Sequence, residues 1–159
     1  MRLRKYGGLH LAKSEVSDDL IAAYRAAAYR IKPGLEPGCD AIILRVGHYS
    51  EPLSRLFAAS GHQCAAFITA CNPFSMPQSD EQNVAASARL YDKLNRQLGN
   101  AGRIREGEGC DPAGAWPGEK SFLALGLDLE TSRALGGEFG QNAIVWADAD
   151  AIPRLVLLR

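Results

Sequence analysis

The chain has 159 residues, of which 47% are hydrophobic and 23% are charged, and its 18 basic residues balance its 18 acidic ones. This length and composition are typical of one globular domain, and the zero net charge excludes the strong imbalance that marks many nucleic-acid-binding and membrane-surface proteins. We therefore expect one domain over residues 1–159, with no membrane partner and no indication of nucleic-acid binding. Composition leaves the oligomeric state open.

Neither a secretory signal nor a membrane span is expected. The basic start at residues 1–8 is not followed by an apolar run and a small-residue cleavage site. The longest uncharged stretch, residues 56–79, contains Pro73 and Pro77 among several polar residues, which excludes a continuous apolar helix. The four cysteines form no C-x-x-C pair. These features predict a cytoplasmic protein with reduced thiols.

The first predicted element is a helix that begins after Ser17, a suitable N-cap residue. Apolar residues behind it follow helical spacing as far as Ile31, namely Leu20, Ala23, Tyr24, Ala27, Ala28 and Ile31. The Pro-Gly pairs at residues 33–34 and 37–38 then predict turns.

A strand, a helix and a second strand are predicted next. Residues 41–46 and 64–70 are short apolar runs typical of buried strands. Between them, Ser50 is a candidate N-cap and Gly61 a candidate helix end. Two strands joined by a helix in this way predict a right-handed parallel βαβ unit.

The remainder of the chain alternates helices and strands. Ser79 and Gln82 form a capping-box pattern before a long helix, whose predicted apolar stripe is Val84, Ala88, Tyr91, Leu94 and Leu98. Strands are predicted over 103–108, 119–125, 143–147 and 155–158, and a helix over 129–135. The expected fold is a single α/β domain with a mixed, largely parallel sheet of about five to six strands flanked by helices.

Three polar clusters interrupt these apolar elements and supply the candidate site residues. In the first, Thr69, Asn72 and Ser75 follow the strand at 64–70, and Asn83 lies one turn into the long helix. Ligands of open α/β sheets bind outside the carboxyl ends of strands, and a helix N-terminus offers free N–H groups to an anion. Alternatively, these side chains only satisfy the backbone of a rigid Asn-Pro turn.

The second cluster contains Glu119 and Ser121, which strand alternation places on one face. A carboxylate that enters a strand of an apolar protein needs a partner or solvent. Glu119 is therefore the candidate general acid/base or hydrogen-bond acceptor for a ligand. The alternative is a structural ion pair with Arg45 or another basic residue.

The third cluster is the consecutive pair Gln141 and Asn142, which either orients a polar substrate or bridges the turn after a helix ending at Gly140.

Metal and cofactor sites are not expected. His10, His48 and His62 are widely spaced, and neither they nor the cysteines match the spacing of a metal site. The segment Gly107-x-Gly109 is too short to be a phosphate-binding loop.

Several motifs also resemble those of a known family: Ala23-Tyr24, Phe-Ile-Thr-Ala-Cys-Asn-Pro-Phe-Ser at 67–75, Asn83, Trp-Pro-Gly-Glu-Lys-Ser at 116–121 and Gly-Gln-Asn-Ala at 140–143. Together they resemble the bacterial family called domain of unknown function 3293. The chain departs from it at Cys71, where an aromatic residue is expected, and this argues against a nucleophilic role for Cys71. The resemblance implies that the clusters belong together, but it carries no activity.

Two classes of function remain open from the sequence. The first is a small-ligand-binding domain or an enzyme, such as a hydrolase or transferase acting on a polar metabolite or nucleotide, with Glu119 as the titrating group. The second is a non-catalytic protein-interaction module in which the clusters only hold loops together. The first predicts that Asn72, Glu119 and Asn142 line one cleft at the strand ends.

Overall fold

A computed structural model describes residues 14–99, 103–114 and 116–159. Within these residues seven strands form one sheet that curls into a half-barrel, in the order β2-β1-β4-β5-β3-β6-β7. The strands are β1 (Ala28–Ile31), β2 (Ile42–Leu44), β3 (Ala65–Thr69), β4 (Ile104–Cys110), β5 (Glu119–Leu125), β6 (Ala143–Ala147) and β7 (Pro153–Leu157). The α-helices are α1 (Asp18–Ala26), α2 (Glu51–Ser60), α3 (Asp80–Leu98) and α4 (Leu129–Glu138).

All strand pairs of this sheet are antiparallel, so the predicted largely parallel sheet of five to six strands is wrong. The two strands of the predicted βαβ unit, β2 and β3, are not neighbours, because β1, β4 and β5 lie between them. An apolar strand pattern indicates which residues are buried but does not name the partner strand. Here the partners come from distant segments, as when β1 pairs with β4.

The first helix is shorter than predicted, and a strand that the sequence reasoning missed follows it. Ser17 caps α1 as expected, but after Ala26 the backbone becomes extended. Ile31 was assigned to the apolar stripe of the helix, and Tyr29 was given no role. Both instead lie buried in β1, between β2 and β4. Aromatic and β-branched residues pack well on a sheet, and this tertiary pairing overrides the helical spacing of the sequence.

The ends of α2 and the start of α3 confirm the predicted caps. Ser50 Oγ accepts a hydrogen bond from the Leu53 N–H at 3.2 Å, and Gly61 ends α2 in the left-handed conformation with φ 74°. Ser79 and Gln82 form the capping box of α3.

The buried face of α3 differs in part from the predicted stripe. Leu94 and Leu98 are buried as expected, but Val84 is 68% exposed, and Leu90 lies in the core instead. The first turns of α3 border a cavity instead of the core, which explains why Val84 is not covered.

Helices cover both faces of the sheet. α3 and α4 pack on one face, where Leu90 and Leu94 meet Phe122. α2 packs on the other face, where Leu53 and Phe57 join a second cluster that includes the rings of β1 and β3. In the described part of the chain, no helix has the length and apolar character needed to cross a membrane.

Candidate functional site

A cavity of about 610 Å³ opens at the end of the sheet where β3 stops and β5 and β6 begin. Because β3 runs antiparallel to both neighbours, its carboxyl end lies beside their amino ends. The polar clusters therefore meet at one edge, although the parallel-sheet argument for their meeting was wrong. Seven of the eight predicted site residues line the cavity: Thr69, Asn72, Ser75, Asn83, Glu119, Ser121 and Gln141.

Asn142, the eighth, does not line the cavity but contacts two residues that do. Its side chain is buried, and its Nδ2 donates to the Tyr24 hydroxyl at 3.2 Å and to Ser75 Oγ at 3.1 Å. The Arg159 guanidinium donates to its Oδ1 at 3.2 Å. Asn142 thus connects α1, the loop after β3 and the end of β7.

Glu119, at the first position of β5, supplies a carboxylate to the cavity. The half-buried side chain accepts a hydrogen bond from Asn72 Nδ2 at 3.0 Å. Burial raises the pKa of Glu119 above its ordinary value, and the bond from Asn72 opposes this rise only in part. Among the described residues, Glu119 forms no ion pair with Arg45 or any other basic side chain.

Asn72 is held in one orientation by its neighbours. Its Oδ1 accepts from the Gln78 N–H at 2.9 Å and from Asn83 Nδ2 at 3.0 Å, while its own N–H donates to Asn83 Oδ1 at 3.0 Å. A backbone N–H can only donate, so the Gln78 contact identifies the Asn72 oxygen and leaves the amide nitrogen directed at Glu119. Asn83 therefore helps to position Glu119 indirectly, by holding the Asn72 side chain that donates to it.

The loop after β3 is strained. Asn72, Phe74 and Ser75 have φ of 46°, 57° and 58°, and Ala151 is the only other non-glycine residue with positive φ in the described ranges. Each such residue costs on the order of 1–3 kcal/mol and persists only where its surroundings hold it. Here the Phe74 N–H donates to the Gly140 carbonyl at 2.7 Å, and Ser75 Oγ lies 2.7 Å from the Tyr24 hydroxyl.

A row of three residues across β1, β4 and β5 forms one wall of the cavity. The register aligns Tyr29 with Gly109 and Gly109 with Glu119. Gly109 has no side chain, so the space between the Tyr29 ring and the Glu119 carboxylate stays open. The Phe67 ring packs edge-on against Tyr29, with ring centroids 5.3 Å apart.

The Tyr29 hydroxyl stays protonated, and its hydrogen is already used in a hydrogen bond. Burial, with Tyr24 and Glu119 nearby, raises its pKa far above the ordinary value, and it donates to the Tyr24 carbonyl at 2.6 Å. The sequence reasoning missed both Tyr29 and Gly109 as cavity residues. The available signal was the alternation of Gly107 and Gly109 within a strand, since glycine in a strand interior often marks a close approach or a ligand.

The remaining predicted polar residues have backbone partners, as the structural alternatives required. Thr69 Oγ1 donates to the Lys120 carbonyl at 2.7 Å, and Ser121 Oγ donates to the carbonyl of Glu119 at 2.9 Å. Gln141 Nε2 donates to the Cys71 carbonyl at 3.1 Å. These three side chains hold the strand ends in place.

Metal ligands do not gather here. In residues 14–99, 103–114 and 116–159, no group of three His, Cys, Asp or Glu side chains is placed to hold an ion. His10 and the basic start at residues 1–8 lie outside the described residues.

A family model described as "Protein of unknown function (DUF3293)" matches residues 68–144. This match, over just under half of the chain, supports membership of the chain in the DUF3293 family. The DUF3293 segment carries Asn72, Asn83 and Glu119, but it excludes the cavity residues Tyr24 and Tyr29. No curated protein and no solved structure matches the chain.

Proposed function

We propose that this protein binds a small organic molecule in the cavity at the sheet end, with Glu119 as its main polar contact. The observation that carries the proposal is a half-buried carboxylate held by Asn72 and lacking an ion-pair partner among the described residues. Desolvating a carboxylate without a cationic partner costs folding free energy. Such a cost is common at functional sites, where perturbed carboxylates concentrate.

The shape of the cavity supports the proposal. Its volume of about 610 Å³ lies within the range of roughly 300–1,000 Å³ found for small-molecule sites. The walls include the side chains of Tyr29, Phe67 and Trp116, and a few polar groups converge at one end. Apolar walls with a small number of fixed polar groups are the usual composition of a ligand site.

If the bound molecule is also transformed, Glu119 is the group best placed to act as general acid/base. Its raised pKa moves it toward the range in which a carboxyl both gives and takes a proton near neutral pH. A covalent mechanism has less support, because Ser121 and Thr69 donate to carbonyls, and Ser75 contacts Tyr24 and Asn142. Hydrolysis or group transfer would then proceed through an activated water or substrate hydroxyl.

A fragment screen observed by ligand NMR tests the binding proposal. Wild-type protein is compared with Glu119→Gln, which keeps the shape and removes the charge. Glu51→Gln is the matched control, since Glu51 is an exposed carboxylate that pairs with Arg55 and does not line the cavity. We expect fragments that bind wild type and Glu51→Gln but bind Glu119→Gln at least about tenfold more weakly.

Two outcomes would contradict this proposal. One is a set of fragments that binds Glu119→Gln as well as wild type. The other is an absence of fragment binding together with a protein partner whose contact maps to the exposed residues Phe74 and Met76, which would favour the interaction module.

A further inference from the structure

We propose that the ligand is an organic cation: an amine or quaternary ammonium group carried on an apolar, ring-bearing body. This inference rests on the proposed function and specifies the chemistry of the molecule that the cavity accepts. It follows from the charges, the hydrogen-bonding groups and the aromatic rings around the cavity.

The charged groups at the cavity favour a positive ligand. Glu119 and Asp80 both line it, and Lys120 is the one basic residue among its described lining residues. The Lys120 ammonium lies 3.5 Å from Oε1 of Glu106, and Glu106 is not a lining residue of the cavity. A cation entering the cavity would therefore meet carboxylates without a competing positive charge, whereas an anion would be repelled.

The hydrogen-bonding groups point the same way, because most side-chain donors of the cavity are already used. Asn72 Nδ2 donates to Glu119, and the Tyr29 hydroxyl donates to a carbonyl. Thr69, Ser121 and Gln141 likewise donate to backbone carbonyls. An acceptor remains, since Glu119 Oε2 receives no hydrogen bond from the described residues. Because Glu119 keeps a free acceptor while most of the side-chain donors are used, the site favours a ligand that donates or is positively charged.

Aromatic rings supply the second element of cation recognition. Tyr24, Tyr29, Phe67 and Trp116 all line the cavity. The negative face of such a ring attracts an ammonium group, by about 0.5–2 kcal/mol according to how far the ion is desolvated. The same rings provide apolar contact area for the body of the ligand. A carboxylate and several rings around one space form a combination suited to an ammonium group.

Cation binding of this kind depends on pH, because only the ionised form of Glu119 attracts the ligand. The other titratable groups of the cavity are Tyr24, Tyr29, Cys71, Asp80 and Lys120. A quaternary ammonium probe keeps its charge at every pH, so a change in its affinity reports the protein groups alone. We expect its affinity to rise as pH increases through the raised pKa of Glu119.

The experiment measures binding of four benzyl probes by ligand-observed NMR: benzyltrimethylammonium, benzylamine, the neutral benzyl alcohol and the anionic benzoate. The protein samples are wild type, Glu119→Gln and the control Glu51→Gln. We expect the two cations to bind wild type and Glu51→Gln at least about tenfold more tightly than the neutral and anionic probes. We expect Glu119→Gln to bind cations no better than benzyl alcohol.

The outcomes separate the two proposals. Benzyl alcohol or benzoate binding wild type as tightly as the cations, with affinity lost in Glu119→Gln, would overturn the cation inference and leave the small-molecule site standing. Four probes that fail to bind, or that bind Glu119→Gln and wild type equally, would overturn both proposals.

Discussion

Asn72 Nδ2 lies 3.0 Å from Glu119 Oε1, so a neutral amide holds the carboxylate of the cavity in place. An amide fixes the position of a carboxylate without cancelling its charge. The charge of Glu119 is thus kept in a desolvated space, and its energetic cost is set by pH and by what enters the cavity.

The difference in stability between Glu119→Gln and wild type should change with pH in a defined direction. The pKa of Glu119 is higher in the folded than in the unfolded state, so the folded state binds more protons between these two values. Stability contributed by the protonated carboxyl is present below the unfolded pKa and is lost as pH rises through the folded pKa. We expect the Tm of Glu119→Gln to rise relative to that of wild type from pH 4 to pH 8, and to equal or exceed it at pH 8.

Glu106→Gln is the control of opposite sign. Burial is the largest single effect on Glu106 and raises its pKa, but the charges and hydrogen bonds of Lys120 and Lys32 together outweigh it and lower the pKa. The contribution of Glu106 to stability is therefore present above the unfolded pKa and is lost in acid. Its substitution should cost at most about 1 kcal/mol at neutral pH, as for other surface pairs. A loss of about 3–5 kcal/mol in Glu119→Gln would instead indicate a broken buried ion pair and would contradict the site assignment.

Two substitutions at Asn72 should separate the contribution of its hydrogen bonds to stability from the cost of its left-handed backbone. Asn72→Gly and Asn72→Ala both lose the side-chain bonds to Gln78, Asn83 and Glu119, worth about 1 kcal/mol each. Because φ is 46°, alanine adds a left-handed cost of about 1–2 kcal/mol that glycine avoids. Urea unfolding should therefore rank wild type above Asn72→Gly and Asn72→Gly above Asn72→Ala. Equal stability of the two variants would show that the backbone is not strained.

Two glycines of β4 should respond differently to a methyl group. A Cβ at Gly109 would lie 3.9 Å from Tyr29 Cδ1, an ordinary contact, so Gly109→Ala should unfold within about 0.5 kcal/mol of wild type. A Cβ at Gly107 would lie 2.4 Å from the Arg30 carbonyl and 2.8 Å from Phe67 Cε2. Gly107→Ala should lose about 1–3 kcal/mol through overpacking. Denaturant midpoints measure both, and similar losses would refute the open space beside Tyr29.

Tyr24→Phe should loosen α1 more than it destabilises the whole protein. No residue of α1 is buried, and the Tyr24 hydroxyl joins the helix to Ser75 and Asn142. Its loss should speed amide hydrogen exchange in residues 18–26 and lower global stability by about 0.5–1.5 kcal/mol. Tyr49→Phe, at a position that is 60% exposed, is the control. Unchanged exchange in α1 would show that the hydroxyl does not anchor the helix.

The sequence predicted local features well because their causes are local. The capping residues Ser50, Gly61 and Ser79 act within one helical turn, and each was assigned correctly. The bounds predicted for β5 and β6 agree with the structure, since both strands are apolar runs of the expected length.

The strand order was not predictable by the same reasoning, because register and partner depend on contacts between distant segments. The sequence around Tyr29 does not indicate that it pairs with Gly109. Tyr29 was given no role in the predicted helix, and this pairing places it in the wall of the cavity. The polar residues were found because side chains such as Asn72 and Glu119 are conspicuous beside apolar strands. The aromatic side of the cavity was missed because aromatic residues within a regular element cannot be distinguished by sequence from residues of the hydrophobic core.

The pairing of Tyr29 with Gly109 also has a kinetic consequence. We expect hairpins between neighbouring strands, such as β1 with β2 and β6 with β7, to form early, because the ladder between β1 and β4 must first close a long loop. The cavity therefore becomes complete only when that slow, long-range ladder is made. A fragment limited to the family segment at 68–144 would lack β1 and α1, so it would carry Glu119 without the wall that faces it.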